Sequence, residues 1–257
     1  MITKREVYNK GRYNILFIST NFNYFVENNA SFNRMYNNLI YFHKHKDFNV
    51  TVLQPKREKS FEVPSLKKDI ICHYFKEINI INYNLIPFID LNPFFIIKIY
   101  QILKNHSIDL IHIDFVYGIN CLRFITKIPI SYNAHNVESI YYHEIEKYNP
   151  KIPSFLRTIY TKYILNLEKY AVRFVKNVNA ISFIDKLKFI KIFKIPDEKV
   201  MVNSIGYNKN IYYNPIKKNI ARQSLKIEEG KFIVIFQNPL LVYSVVMQLK
   251  PESLRGR

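Results

Sequence analysis

Glycine is scarce in this sequence, with 5 residues among 257. They stand at Gly11, Gly118, Gly206, Gly230 and Gly256, positions that write neither a G-x-G-x-x-G turn nor a G-x-x-x-x-G-K-[ST] loop. The nicotinamide dehydrogenase and P-loop classes therefore fall away, because both need glycine where the backbone approaches a phosphate. Cysteine occurs twice, as Cys72 and Cys121, too few and too far apart for a disulfide framework or a zinc site. The pattern fits buried, reduced thiols of a cytoplasmic protein. Long apolar runs are missing too. The greasiest stretch, Leu85 to Leu103, is broken by Pro87, Asp90, Pro93 and Lys98, so it does not span a membrane. The polar, basic stretch Met1 to Tyr13 has no apolar core for a signal peptide.

Acidic residues are few: 20 Asp and Glu against 38 Lys and Arg, a formal charge of +18. Lys, Ile, Asn, Tyr and Phe are abundant together, as codon use in an AT-rich genome would produce. Whatever its origin, such a field draws anions: nucleic acid, acidic lipid headgroups or phosphorylated substrates. The lysines are scattered, and neither a helix-turn-helix nor an RNP sequence stands out, which weighs against nucleic acid. The aromatic stretch Pro87 to Tyr100 offers a point of peripheral contact with an anionic membrane, at its inner face. His143, Glu144 and Glu146 lack a second His at ligand spacing, so no metal is assigned. No cofactor is assigned either.

What is present is core-forming: 48% hydrophobic and 16% aromatic residues. Asn14 to Ser19 and Asn49 to Gln54 are short apolar runs, as expected of strands buried on both faces of a parallel sheet. Between them Phe32, Met35, Tyr36, Leu39, Ile40 and Phe42 recur at helical spacing over Ser31 to His45. Weaker strands are predicted in Ile70–Phe75 and Ile78–Tyr83. A helix opens at the N-cap Asn92 with Pro93 in its first position. Strand Asp109–Ile113, a helix over Gly118–Thr126 and strand Pro129–Asn133 follow. A long helix over Ser154–Val175 carries Leu156, Ile159, Tyr163, Leu167, Tyr170 and Phe174 on its apolar side and Arg157, Lys162, Lys169 and Arg173 on its polar side. Strand Asn179–Ile181, a helix capped by Ser182 and Asp185, and strand Lys199–Asn203 complete the series. Strands alternating with helices predict a doubly wound α/β domain, with ligands at the carboxyl ends of the strands. After Tyr213, Asn214-Pro215 reads as a hinge and Ile220–Ile227 as a short helix. Lys231–Phe236 reads as an apolar strand fit for a new parallel sheet, and Gln237–Arg257 shows no periodicity.

His135 ends a predicted buried strand, where side chains reach the ligand crevice and a neutral imidazole can hydrogen-bond a ligand; a loop histidine bonded to backbone is the plainer alternative. Glu138 is placed to accept a hydrogen bond from a ligand or to fix His135, or else is a surface or helix-capping glutamate. His112 and Asp114 lie on one strand face; they form a polar pair at the strand end, or His112 is a satisfied structural histidine. His43 and His45 read as solvated.

The order of these pieces over Asn14 to Phe236 resembles the family 4 type of GT-B glycosyltransferases. Asn14–Ser19 and Asn28-Asn-Ala-Ser-Phe-Asn-Arg34 resemble that family's first strand and the loop into its helix, with Asn28 and Asn29 where a Gly pair is usual. Asp109-Leu-Ile-His-Ile-Asp114 with Gly118 resembles its Asp-apolar-apolar-His strand and turn. Ser131-Tyr-Asn-Ala-His-Asn-Val-Glu138 is the most specific match. Glu168-Lys-Tyr-Ala171 with Asn177-Val-Asn-Ala-Ile-Ser182 resembles the next helix and strand, and Val200–Asn208 the junction loop, of which Gly206 is kept. The resemblance implies a Rossmann-like, acceptor-side N-terminal domain over 1–214. Residues 215–257 would begin a donor-binding domain, truncated or aberrant after about 236, because the family's glutamate pair has no counterpart there.

It further implies transfer of a hexosyl group from a nucleotide-diphosphate sugar to a glycan or lipid-linked acceptor. His135 is the expected catalytic residue, and Asn29, Arg34, His112, Asp114, Asn136, Glu138 and Gly206 the expected acceptor-side residues. A partner chain supplying the missing domain fits the same pattern. Two other readings stay open: a basic nucleic-acid-binding α/β module, whose binding would fall with salt, and a truncated, inactive transferase.

Overall fold

The computed structural model describes residues 11–25, 30–56, 70–80, 83–84, 86–147, 154–204, 215–224, 232–237 and 244–249. The chain divides into two compact units, Met1–Gly206 and Tyr207–Arg257. In the first unit β1 (Tyr13–Ser19) runs parallel to β2 (Phe48–Pro55), joined by α1 (Ala30–Lys44). Both strands are buried on successive residues because both faces are covered; Ile15 to Ile18 are all essentially inaccessible. Helix α1 buries Phe32, Met35 and Leu39, three residues of one face. Strand β3 (Ile71–Phe75) joins β2 at the sheet edge. The single strand expected over Ile78–Tyr83 is instead a small antiparallel pair, β4 (Asn79–Ile80) and β5 (Tyr83–Asn84).

A 3-10 helix at Ile86–Leu91 leads into α2 (Pro93–Asn105). The Asn92 side chain accepts from Phe94 N at 2.9 Å and Phe95 N at 3.3 Å, as its N-cap assignment requires. Phe95, Ile99 and Ile102 form the buried face of α2; each such side chain contributes about 1.5–3 kcal/mol of apolar transfer. Then come β6 (Leu110–Asp114), α3 (Ile119–Ile125) and β7 (Ile130–Asn133). They are followed by α4 (Glu138–Lys147), α5 (Ser154–Phe174), β8 (Asn177–Ala180), α6 (Phe183–Phe193) and β9 (Val200–Val202). Helix α4, unforeseen from periodicity, has weak amphipathy and is anchored at its first turn from another helix, as described below. The sheet order is β3-β2-β1-β6-β7-β8-β9, with parallel pairing throughout. Chain progression reverses between β1 and β6. That reversal opens a crevice at the carboxyl ends of these two strands.

Helix α5 corrects the expected stripe. Ile159, Tyr170 and Phe174 are exposed, while Ile164, Leu167, Glu168, Ala171 and Val172 are buried. The seated face is rotated from the expected one and includes Glu168, which turns inward to accept from two backbone N–H groups of α4. Cys121 is buried, but Cys72 is only half-buried.

In the second unit α7 (Pro215–Ser224) starts at the proline read as a hinge, which fits its preset φ and missing donor at a helix start. Strand β10 (Phe232–Gln237) pairs antiparallel with β11 (Ser244–Leu249), not in a parallel sheet. An apolar run does not by itself encode strand direction, and the partner lies in the stretch read as aperiodic.

Candidate functional site

Four loops and strand ends meet at the reversal point. Tyr24 follows β1, Asp114 ends β6, Asn133 ends β7, and His135 lies two residues further on. Asp114, fully buried, is the hub. Its Oδ1 lies 3.0 Å from His135 Nε2 and accepts from Asn133 Nδ2 at 2.5 Å; its Oδ2 accepts from the Tyr24 hydroxyl. Tyr24 is itself fixed by Gln54 of β2, whose Oε1 accepts the Tyr24 backbone N–H at 2.8 Å.

Burial pushes the Asp114 carboxyl up, but the His135 and Tyr24 hydrogen bonds and the two nearby imidazoles outweigh it and hold the group below the usual carboxylate value. Burial lowers His135 despite the pull of Asp114. At neutral pH the pair is thus a carboxylate and a neutral imidazole. An ionised carboxylate only accepts, so the proton sits on Nε2 and Nδ1 is left as an acceptor. Nδ1 is buried and has no hydrogen-bond partner among the described residues.

Phe115 completes the setting. Its ring stacks on His135 with 4.3 Å between centroids and 14° between planes. Its backbone has φ 72°, a left-handed conformation that is costly for a bulky side chain. The strain lies directly between the carboxylate hub and the ring that packs its partner. Gly118, at φ 94°, then caps α3. A Cβ there would stand 2.9 Å from Phe95 Cζ, so glycine answers both the backbone and the space.

Arg34 reaches this edge from α1. Its guanidinium donates to the carbonyl of Ala134 and, at 2.9 Å, to that of Asn179. Burial lowers it to about 10, so it remains charged at neutral pH and tethers the ends of β7 and β8. His112 shares a face with Asp114 and packs on Phe17, ring centroids 4.7 Å apart. It is not the satisfied histidine expected: its Nε2 is buried without a partner among the described residues. Burial holds it below its ordinary value.

Glu138 neither fixes His135 nor lies at the surface. It is buried and accepts from the Tyr117 hydroxyl at 3.0 Å, while its Oε1 has no hydrogen-bond partner among the described residues. Its backbone N–H and that of Ser139 donate to Glu168, at 2.9 and 2.8 Å. Glu168 on α5 is therefore the cap of α4. Burial, reinforced by their proximity, raises Glu138 to about 8, and burial raises Glu168 to about 7. Asn29 and Gly206 lie outside the described residues.

Sequence reasoning missed Tyr24, Asn133, Phe115 and the capping role of Glu168. For Glu168 a signal existed: a carboxylate at helical spacing from Ile164, Ala171 and Val172. For Tyr24 and Phe115 there was none, since neither lies on a periodic element. Among the described residues no group of three or more His, Cys, Asp or Glu is arranged to hold a metal, and no helix is long and apolar enough to cross a membrane.

A doubly wound parallel sheet with a polar cluster at its reversal point defines a Rossmann-like domain whose ligand edge is the carboxyl edge. The chain belongs to Glycosyltransferase Family 4, whose sequence model matches residues 33–209. Its fold is shared with Anabaena Alr3699/HepE, solved in complex with UDP-glucose, at a TM-score of 0.51 and 18% identity over 83% of this chain and 50% of that one. Phytolacca americana UGT2, solved with UDP-2fluoro-glucose and pterostilbene, gives a TM-score of 0.51 at 10% identity, covering 82% and 57%. The chain thus spans about half the length of these solved chains. No curated protein sequence matches it.

Proposed function

We propose that this chain forms the acceptor side of a glycosyltransferase that moves a hexosyl group from a nucleotide-diphosphate sugar to a glycan or a lipid-linked acceptor at an anionic membrane surface. The observation that supports this most is the buried Asp114–His135 pair at the reversal point of the sheet, 3.0 Å apart. Asp114 fixes the tautomer of His135, and the unspent Nδ1 is an acceptor matched to a sugar hydroxyl. His135 is the residue we assign to the sugar; Asp114, Tyr24 and Arg34 position it. Asn136 lies beside it, and Asn29 and Gly206 remain assigned to the same edge by the family pattern.

Sugar transfer also needs charge stabilisation at the leaving diphosphate. The carboxylate-centred cluster is poorly suited to that. We therefore place the donor site in the half of the enzyme that this chain does not match, on the same polypeptide or on a partner chain. Saturation-transfer NMR on the 257-residue chain tests the reading. Oligosaccharides should give a signal with the native chain and lose it with His135→Ala, while nucleotide sugars alone are not turned over. A folded native chain that binds no glycan at millimolar concentration overturns the assignment.

A further inference from the structure

Three helices, α2, α3 and α5, are joined along one side of the domain. The ring of Phe88, in the 3-10 helix leading into α2, stacks on Tyr163 of α5 at 5.0 Å. Cys121 N of α3 donates to Asp90 of that same 3-10 helix at 2.7 Å, and Asn120 of α3 donates to the Leu167 carbonyl of α5 at 3.2 Å. The surface so formed exposes large apolar side chains: Leu91 (75% exposed), Phe94, Ile97 and Tyr100 beside and along α2, Phe124 (78%) on α3, and Tyr170 (55%) on α5.

The exposed charge on the three helices themselves has one sign, and Asp90 of the adjoining 3-10 helix accepts from Cys121 N. Helices α2, α3 and α5 carry Lys98, Lys104, Arg123, Lys162, Lys169 and Arg173. Their one carboxylate, Glu168, is buried in capping α4. Cation and aromatic are interleaved: Lys76 lies over Phe94 at 5.8 Å, and Arg123 over Phe124 at 4.6 Å and over Tyr170 at 5.9 Å. A second exposed apolar group, Phe183, Ile184 and Leu187 on α6, also has lysines about it, but acid lies within and beside it at Asp185, Asp197 and Glu198, and Lys186 and Lys188 are paired to Asp197 and Asp185.

We propose that the α2–α3–α5 face is a docking surface for an anionic lipid bilayer, seating its aromatic and aliphatic side chains at the headgroup level. Charge complementarity selects this occupant. Rings at the headgroup boundary with lysine and arginine around them match both parts of an acidic interface, whereas a water-exposed face would gain nothing from so much apolar surface. The inference deepens the lipid-linked acceptor reading above and rests on it for its meaning. Its test does not depend on sugar transfer, so the two fail separately.

The chain contains no tryptophan, so Phe124→Trp installs a single fluorophore on this face and Leu187→Trp a single one on α6. Vesicles of phosphatidylcholine with and without phosphatidylglycerol are the probes. With phosphatidylglycerol the Phe124→Trp emission should shift to the blue, with pure phosphatidylcholine it should not, and Leu187→Trp should stay unshifted in both. At about 1 kcal/mol per basic residue near the surface, the triple change Lys98→Gln, Arg123→Gln, Lys169→Gln should weaken partitioning on the order of 100-fold. Three equivalent changes at Lys44, Lys188 and Lys191 should cost far less. No binding to acidic vesicles at low salt overturns the proposal. So does a shift confined to Leu187→Trp, or sedimentation showing that the face is covered by a second copy of the chain instead.

Discussion

The imidazole of His135 lies flat on the ring of Phe115, 4.3 Å between centroids, and Phe115 holds a left-handed backbone one residue after Asp114, the carboxylate His135 bonds. The strained residue therefore connects the two halves of the pair: its backbone sets the strand end and its side chain packs the ring.

Phe115→Ala keeps the unfavourable φ and loses the stack, so it should destabilise by about 3–5 kcal/mol, the usual range for a buried phenylalanine. Phe115→Gly relieves the backbone while losing the same contacts, and should therefore be the milder change. Urea unfolding of the two variants checks the order. Equal or reversed costs would remove the backbone strain from the account.

His135 should titrate below an ordinary histidine, because burial outweighs the pull of Asp114. Its folded value lies under its unfolded one, so the unfolded state takes up the proton first as pH falls. Its contribution to stability is present above the unfolded value, near 6.5, and is lost as pH drops through the folded one. Asp114→Asn removes the opposing charge and should lower His135 further while freeing the tautomer. Two-dimensional NMR of the imidazole nitrogens reads both; an unchanged tautomer in Asp114→Asn would show that Asp114 does not set it.

Glu138 and Glu168, raised to about 8 and about 7, carry the opposite sign. Their folded values lie above the unfolded ones, so their contribution is fully present below about 4.5 and is lost as pH rises through 7 and 8. Glu138→Gln should flatten this decline and gain more than about 1.4 kcal/mol at pH 8.5, the equivalent of one pKa unit. Glu168→Ala should instead cost about 1–3 kcal/mol, since it strips the cap from two N–H groups of α4. Thermal unfolding across pH 5 to 9 separates the cases, and a flat native profile would contradict the raised values.

Gly118→Ala should lose stability by roughly 1–3 kcal/mol, given its φ of 94° and a Cβ 2.9 Å from Phe95 Cζ. Phe95→Leu in the same chain should recover the steric part of the loss and leave the backbone part. Double-mutant additivity, measured by chemical denaturation, decides whether ring and glycine are coupled.

The doubly wound order was written in the sequence, because apolar runs such as Asn14–Ser19 and caps such as Asn92 act locally and leave a local mark. His135 was equally legible, as a polar residue following a buried strand. The partners of these residues were not. Tyr24 and Asp114 are 90 residues apart, Arg34 and Ala134 are 100 apart, and only chain reversal at β1 and β6 brings them together. The stripe on α5 was misread for the same reason, since the face a helix buries depends on what it packs against.

By itself, then, the sequence determined most elements of the first unit, the family pattern and the excess of positive charge, all of which reside in neighbouring residues or in sums over them. The tertiary structure decided what the polar residues do. Long-range hydrogen bonds outweigh burial and keep Asp114 the carboxylate that holds His135, and chain closure gave Glu168 a helix to cap and joined the exposed rings of α2, α3 and α5 on one face. Desolvation and long-range hydrogen bonding set those roles, and neither exists until the chain has closed on itself.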